Sequence, residues 1–105
     1  MALVQQIITF SGSAATQIAP AGTYVTEVFV EPLRANTAGM YVGNSSLTQN
    51  GSAGCISDLY QPASSPTILD RFQLNAKGGS HNYDAGTLYV WGTTSQGCKV
   101  TYWTM

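Results

Sequence analysis

The stretch Tyr24-Val25-Thr26-Glu27-Val28-Phe29-Val30-Glu31 decides the fold class. Its residues alternate with period two: Val25, Glu27, Phe29 and Glu31 fall on one side, and Tyr24, Thr26, Val28 and Val30 on the other. A helix would need apolar residues three and four apart, and the β-branched residues here favour an extended chain. The glutamates mark their side as the wet one, so the Val28 and Val30 side is expected to face a core. Pro32 has no N–H for a ladder and is expected to end the strand.

Outward from this strand, further β signals alternate with breakers. Toward the N-terminus, Val4 to Phe10 reads as a strand ended by Ser11-Gly12-Ser13, and Thr16 to Ile18 as a short one before the turn Pro20-Ala21-Gly22. Toward the C-terminus, Ala38 to Gly43 is a strand, and a polar stretch from Asn44 to Gly54 follows with the turn dipeptide Asn50-Gly51. Ile56 to Pro66 carries Tyr60, Pro62 and Pro66 with little periodicity and reads as loop, with one turn of helix or a short edge strand as alternatives. Thr67 to Leu74 is again β, and Lys77-Gly78-Gly79-Ser80 breaks it. Thr87 to Trp91 and Cys98 to Trp103, separated by Gly92 to Gly97, read as a terminal hairpin with a loose turn. Seven to eight short antiparallel strands in 105 residues predict an all-β, two-layer β-sandwich or jelly roll, with residues 1–105 as a single domain.

Composition narrows the partners. Only 9% of residues are charged, against about 25% in an average soluble domain, so the surface is covered largely by Ser, Thr, Gly, Asn and Gln. The basic residues Arg34, Arg71, Lys77 and Lys99 are scattered, which argues against nucleic acid, because backbone neutralisation needs several cations in one stripe. A net charge of -1 does little to oppose self-association, and a homo-oligomer, dimer or trimer, is expected. The opening MALVQQIITF lacks the cationic start and apolar core of a secretory signal, and no apolar run reaches the ~20 residues of a membrane-spanning helix. The expectation is a chain made in the cytoplasm, with no signal peptide and no membrane partner.

Chemistry-bearing residues are sparse. His81 is the sole histidine and sits in a turn-rich segment, with no serine in a nucleophile context and no marked carboxylate partner. Asp58, Asp70 and Asp84 lie in separate segments and read as loop carboxylates. Asn82-Tyr83-Asp84-Ala85-Gly86 holds one carboxylate, too few for a calcium loop, and Gly78-Gly79 lacks the remainder of a phosphate loop. Cys55 and Cys98 have no ligand spacing for zinc and are expected as free thiols, with a disulfide as the alternative. No catalytic, metal or cofactor site is expected, and the chain is read as a non-enzyme.

The aromatic residues Tyr89, Trp91, Tyr102 and Trp103 gather near the C-terminus. Within Thr87 to Trp91, Leu88 and Val90 share one side, and Tyr89 and Trp91 the other, which makes Tyr89 and Trp91 candidates for an outer or inter-subunit contact. Leu3 and Val4, which extend toward a neighbour in this reading, are the other interface candidates. Stacking on glycan rings is a second use for such aromatics.

Three pieces of the chain resemble small structural proteins encoded near the capsid and tail genes of tailed bacteriophages. They are Met40-Tyr41-Val42-Gly43-Asn44-Ser45-Ser46-Leu47-Thr48 with Asn50-Gly51, then Leu88-Tyr89-Val90-Trp91-Gly92, and the last strand Lys99-Val100-Thr101-Tyr102. Together they cover 20 of the 105 residues. The sequence departs from the family pattern in the middle, where Asp58-Leu59-Tyr60-Gln61-Pro62 replaces a Leu- and Gly-bearing turn before an Asp-rich strand. The resemblance implies a virion component, with a capsid decoration or cement protein as the preferred role and the major capsid protein as partner. A minor connector or tail component and a carbohydrate-binding module remain open beside it. The family motif is structural, so no functional residue transfers with it.

Overall fold

The computed structural model describes residues 2–33, 36, 38–48, 51, 53–59, 71–75 and 83–104. Among them nine strands form two antiparallel sheets, so the chain is an all-β sandwich. The strands are β1 (Ala2–Thr9), β2 (Thr16–Gln17), β3 (Tyr24–Pro32), β4 (Met40–Gly43), β5 (Cys55–Leu59), β6 (Phe72–Asn75), β7 (Tyr83–Asp84), β8 (Tyr89–Trp91) and β9 (Gly97–Thr104). The first sheet runs β1-β9-β3-β6, with β7 also on β3, and the second runs β2-β8-β4-β5. Period-two alternation sends one side of each sheet inward, and the buried Val28, Val30, Val100, Cys98 and Ile8 of the first sheet meet Met40, Val42, Leu59, Leu88 and Val90 of the second.

The deciding strand carries a feature that alternation alone does not reveal. Val25 pairs with Thr104 and Val28 with Tyr102, so β3 spends one extra residue where β9 advances by two. This bulge reverses the phase of the strand. Val25, expected on the wet side with Glu27, is fully buried beside Val28 and Val30, and Tyr24, expected on the core side, is 49% exposed. Pro32 is the last residue of β3 rather than the residue after it. The bonded pairs between β3 and β9 fall on alternate residues, and Leu33 N–H donates to Gly97 O (3.1 Å), so the missing N–H of Pro32 faces away from β9.

Two other expectations change. The terminal hairpin is not formed, because β8 pairs with β2 and β4 while β9 pairs with β1 and β3. The link between them is captured by the end of β1: Phe10 N–H donates to Gln96 O (2.8 Å), Ser95 N–H to Phe10 O (3.2 Å), and Thr94 Oγ1 to Ser11 O (3.1 Å). It thereby carries the chain from one layer to the other. Cys55 to Leu59 is a strand, on the edge of the second sheet, which fulfils the edge-strand alternative for the start of that segment. Its remainder, with Tyr60, Pro62 and Pro66, lies outside the described residues, as do Thr67 to Asp70, Arg34, Lys77, Asn50 and His81.

Within the polar stretch after β4, a turn forms at Asn44, ahead of the expected Asn50-Gly51 turn, whose Asn50 lies outside the described residues. Asn44 Oδ1 accepts from Ser46 N–H (2.8 Å), and Asn44 O accepts from Leu47 N–H (3.0 Å), which tucks Leu47 into the interior. The Val-Gly-Asn-Ser-Ser-Leu run is therefore a chain reversal that supports β4.

Candidate interaction faces

The four residues expected at an interface do not form one surface. On β1, Leu3 points outward and is 59% exposed, while Val4 packs inward against the core. Tyr89 and Trp91 lie on the outer face of the other sheet, as their alternation with buried Leu88 and Val90 requires.

The outer face of the first sheet is built by β1, β9, β3 and β6. Register places Leu3 beside Trp103, then Gln5 beside Thr101, Phe29 and Gln73, then Ile7 beside Lys99 and Glu31. Ile7 is 57% exposed. Phe29 and Trp103 meet edge to face at 5.8 Å between centroids and 76° between planes, and the Arg71 guanidinium lies 4.9 Å over the Phe29 ring. Lys99 and Glu31 approach at 3.8 Å, a long and partly exposed ion pair that contributes little to stability. The sequence reading included Leu3 in this group. It missed Ile7, Phe29 and Trp103, which only the register of β1, β3 and β9 brings to one side.

The outer face of the second sheet carries three aromatic rings. Tyr41 stands opposite Trp91 on one side and Asp58 on the other, and Tyr89 stands opposite Gly43 and Gln17. The rings of Tyr41, Tyr89 and Trp91 are half-buried, and among the described residues Trp91 Nε1 is enclosed without a hydrogen-bond partner. Beside them lies a shallow depression of about 230 Å³, lined by Ala38, Gly39, Tyr41, Gly92 and Thr93. A second depression of about 220 Å³ is lined by Gly22, Thr23, Tyr24 and Thr104. No described lining residue carries a carboxylate, imidazole or thiol.

Among the described residues, the two cysteines and Asp84 are buried or hydrogen-bonded. Both cysteines are free. Cys98 is fully buried in the core, and desolvation pushes its thiol up to about 12. Cys55, on β5, donates to Asp58 Oδ1 (3.1 Å); partial burial, this bond and the neighbouring negative charge raise its pKa. Asp84 caps a 3₁₀ turn, Ala85–Thr87, by accepting from Gly86 N–H (2.9 Å), and both its oxygens accept from Gly22 N–H (3.1 and 3.0 Å). Its carboxylate thus ties the turn before β3 to the turn after β7. Among the described residues no group of three or more His, Cys, Asp or Glu is placed to hold a metal ion, and no helix is long and apolar enough to cross a membrane. No protein-family model, curated protein or solved structure matches the chain.

Proposed function

We propose that the chain is a non-enzymatic structural protein of a tailed-phage virion, of the capsid decoration type, which binds the outer shell formed by the major capsid protein and stabilises it. The observation that carries this reading is the outer face of the first sheet, where Leu3 projects from β1 beside Trp103, which meets Phe29 edge to face, and Ile7 projects two rows further along beside Lys99. Apolar and aromatic side chains interspersed with Gln5, Thr101 and Gln73 on an open sheet face are the anatomy of a protein contact rather than of a catalytic cleft. The low charge of the surface supports it, since a weakly charged protein meets little long-range repulsion from a charged shell. Asp84 is engaged by backbone amides, which suits a carboxylate that holds loops rather than one that moves protons. The resemblance of the Met40 to Thr48 turn to phage structural proteins points the same way.

The test is co-sedimentation of the purified protein with assembled, undecorated shells from its own source. Saturable binding of many copies per shell, lost in a Leu3→Asp, Trp103→Ala double variant, is the expected result. Binding of only a few copies would favour the connector role, and no binding would remove both.

A second reading is favoured by the outer face of the second sheet. Tyr41, Tyr89 and Trp91 stand there with Asp58 and Gln17 alongside, the residue types that stack on sugar rings and hydrogen-bond their hydroxyls. Retention on immobilised polysaccharide that a Trp91→Ala variant loses would establish it.

A further inference from the structure

The open side of β1 is a neutral, regular edge whose groups are arranged symmetrically about Gln5. Phe10 N–H donates to Gln96 O, which extends the β1–β9 ladder, and Leu33 N–H donates to Gly97 O, which extends the β3–β9 ladder. Opposed residues in an antiparallel ladder alternate between bonded and non-bonded pairs. It follows that Cys98, Val100 and Tyr102 bond toward β1, and that their partners there are Ile8, Gln6 and Val4. The N–H and C=O groups of Leu3, Gln5 and Ile7 therefore point away from β9, to the side where no described strand pairs.

Protein edges are ordinarily blunted by shortness, charge, proline or a bulge. The other described edges follow that rule: β2 and β7 have two residues, β6 has four, and β5 has an irregular register and carries Asp58. By contrast, β1 holds an uninterrupted register with β9 over all its 8 residues, with no proline, glycine or charged residue in Ala2–Thr9.

We propose that β1 pairs antiparallel with β1 of a second copy of this chain, across a two-fold axis at Gln5, so that the two first sheets become one. In this register Leu3 faces Ile7 of the second copy, Gln5 faces Gln5, and Ile7 faces Leu3. Each of these pairs brings outward backbone groups together, and each exchanges N–H···O bonds in both directions. The two most exposed apolar side chains of the strand, at 59% and 57%, cover each other on one side of the joined sheet. A two-fold axis at Val4 or Gln6 would also engage the backbone, but it would set an apolar residue against Gln5. With no charge on the strand, no like-charge pair opposes the contact. The surface is self-complementary, which an isologous dimer requires.

This inference deepens the assembly reading and rests on it for what the joined outer face binds. Pairing itself is measured on purified protein without shells, so failure to dimerise and failure to bind a shell are separate results. Sedimentation equilibrium of the full chain up to about 100 μM is expected to give a dimer, with Kd raised about tenfold or more by Gln5→Pro and by Ile7→Lys. Neither variant removes a backbone bond between β1 and β9 or a buried side chain; Gln5→Pro loses the exposed bond from Gln5 Nε2 to Thr101 Oγ1 (3.3 Å), and circular dichroism checks that each is folded. In the unsubstituted chain, hydrogen exchange at the Leu3, Gln5 and Ile7 amides is expected to slow as concentration rises. A monomer at the highest concentration, or a dimer in which these amides exchange freely, would overturn the proposal even if a variant failed to fold.

Discussion

Asn36 and the backbone of Gly97 hold each other in both directions: Asn36 Nδ2 donates to Gly97 O at 2.8 Å, and Gly97 N–H donates to Asn36 Oδ1 at 3.1 Å. Asn36 is 1% exposed, and its amide extends the β3–β9 ladder past Leu33 in place of a further strand residue. Asn36→Ala leaves the Gly97 N–H without its partner and is expected to cost about 1–3 kcal/mol, read as a lower urea midpoint.

Asn36→Asp tests the same contact by pH. The protonated acid can still donate to Gly97 O, whereas the carboxylate would face that oxygen in a buried site. Its folded pKa is therefore raised, and its stability relative to the unsubstituted chain is expected to fall as pH rises through about 4, the unfolded value for Asp. An equal deficit at pH 3.5 and pH 7, values about half a unit below and three units above that pKa, would contradict this.

Asp84 is expected to matter more than a loop carboxylate ordinarily does. Asp84→Ala removes acceptors from Gly22 and Gly86 at once, and a loss of about 1–3 kcal/mol is expected. Amide exchange at Gly22 and Gly86 should accelerate more than exchange within β9. A uniform change over the chain would show that the link is not local.

Cys98 sets an alkaline limit. The native state retains the thiol proton until about 12 and the unfolded chain releases it near 9, so this group costs no stability below that window and an increasing amount within it. At pH 10.5 the expected loss is about 2 kcal/mol relative to pH 8. Cys98→Ala should lack this part of the decline, and urea melts of the two proteins at both pH values measure the difference.

Gly92 follows Trp91 where the chain leaves the second sheet, and a Cβ there would collide with the Phe10 ring. Gly92→Ala is expected to cost about 1–3 kcal/mol by overpacking, with part of the loss restored by Phe10→Leu. Additive effects of the two substitutions in thermal melts would show that they do not act through this contact.

Sequence periodicity made the β class legible, because alternation and turn residues are local properties. It failed where one residue or one connection decides. The bulge in β3 exchanges the environments of Tyr24 and Val25, and nothing in Tyr24 to Glu31 marks where the extra residue falls. The link from Trp91 to Gly97 has the length and composition of a hairpin loop, yet its partners are Phe10 and Ser11, remote in sequence. The outward direction of Tyr89 and Trp91 was legible from their neighbours, since Leu88 and Val90 had to be buried. Joining Leu3 to Ile7, Phe29 and Trp103 required the register of strands far apart in the chain, which composition does not encode.

The pairing of β1 with β9 sets the order of events in folding. Ala2 lies opposite Thr104, and Thr9 opposite Gly97, so the first strand has no partner in its own sheet until the ninth has been made. Closing a loop of that span must be accomplished before its contacts give any return, which makes assembly of this sheet a late and slow step. During that wait Leu3-Val4-Gln5-Gln6-Ile7-Ile8 is an uncharged, β-prone segment without a ladder on either side. The same stretch that offers a joining edge in the finished molecule is thus its chief aggregation hazard on the way there.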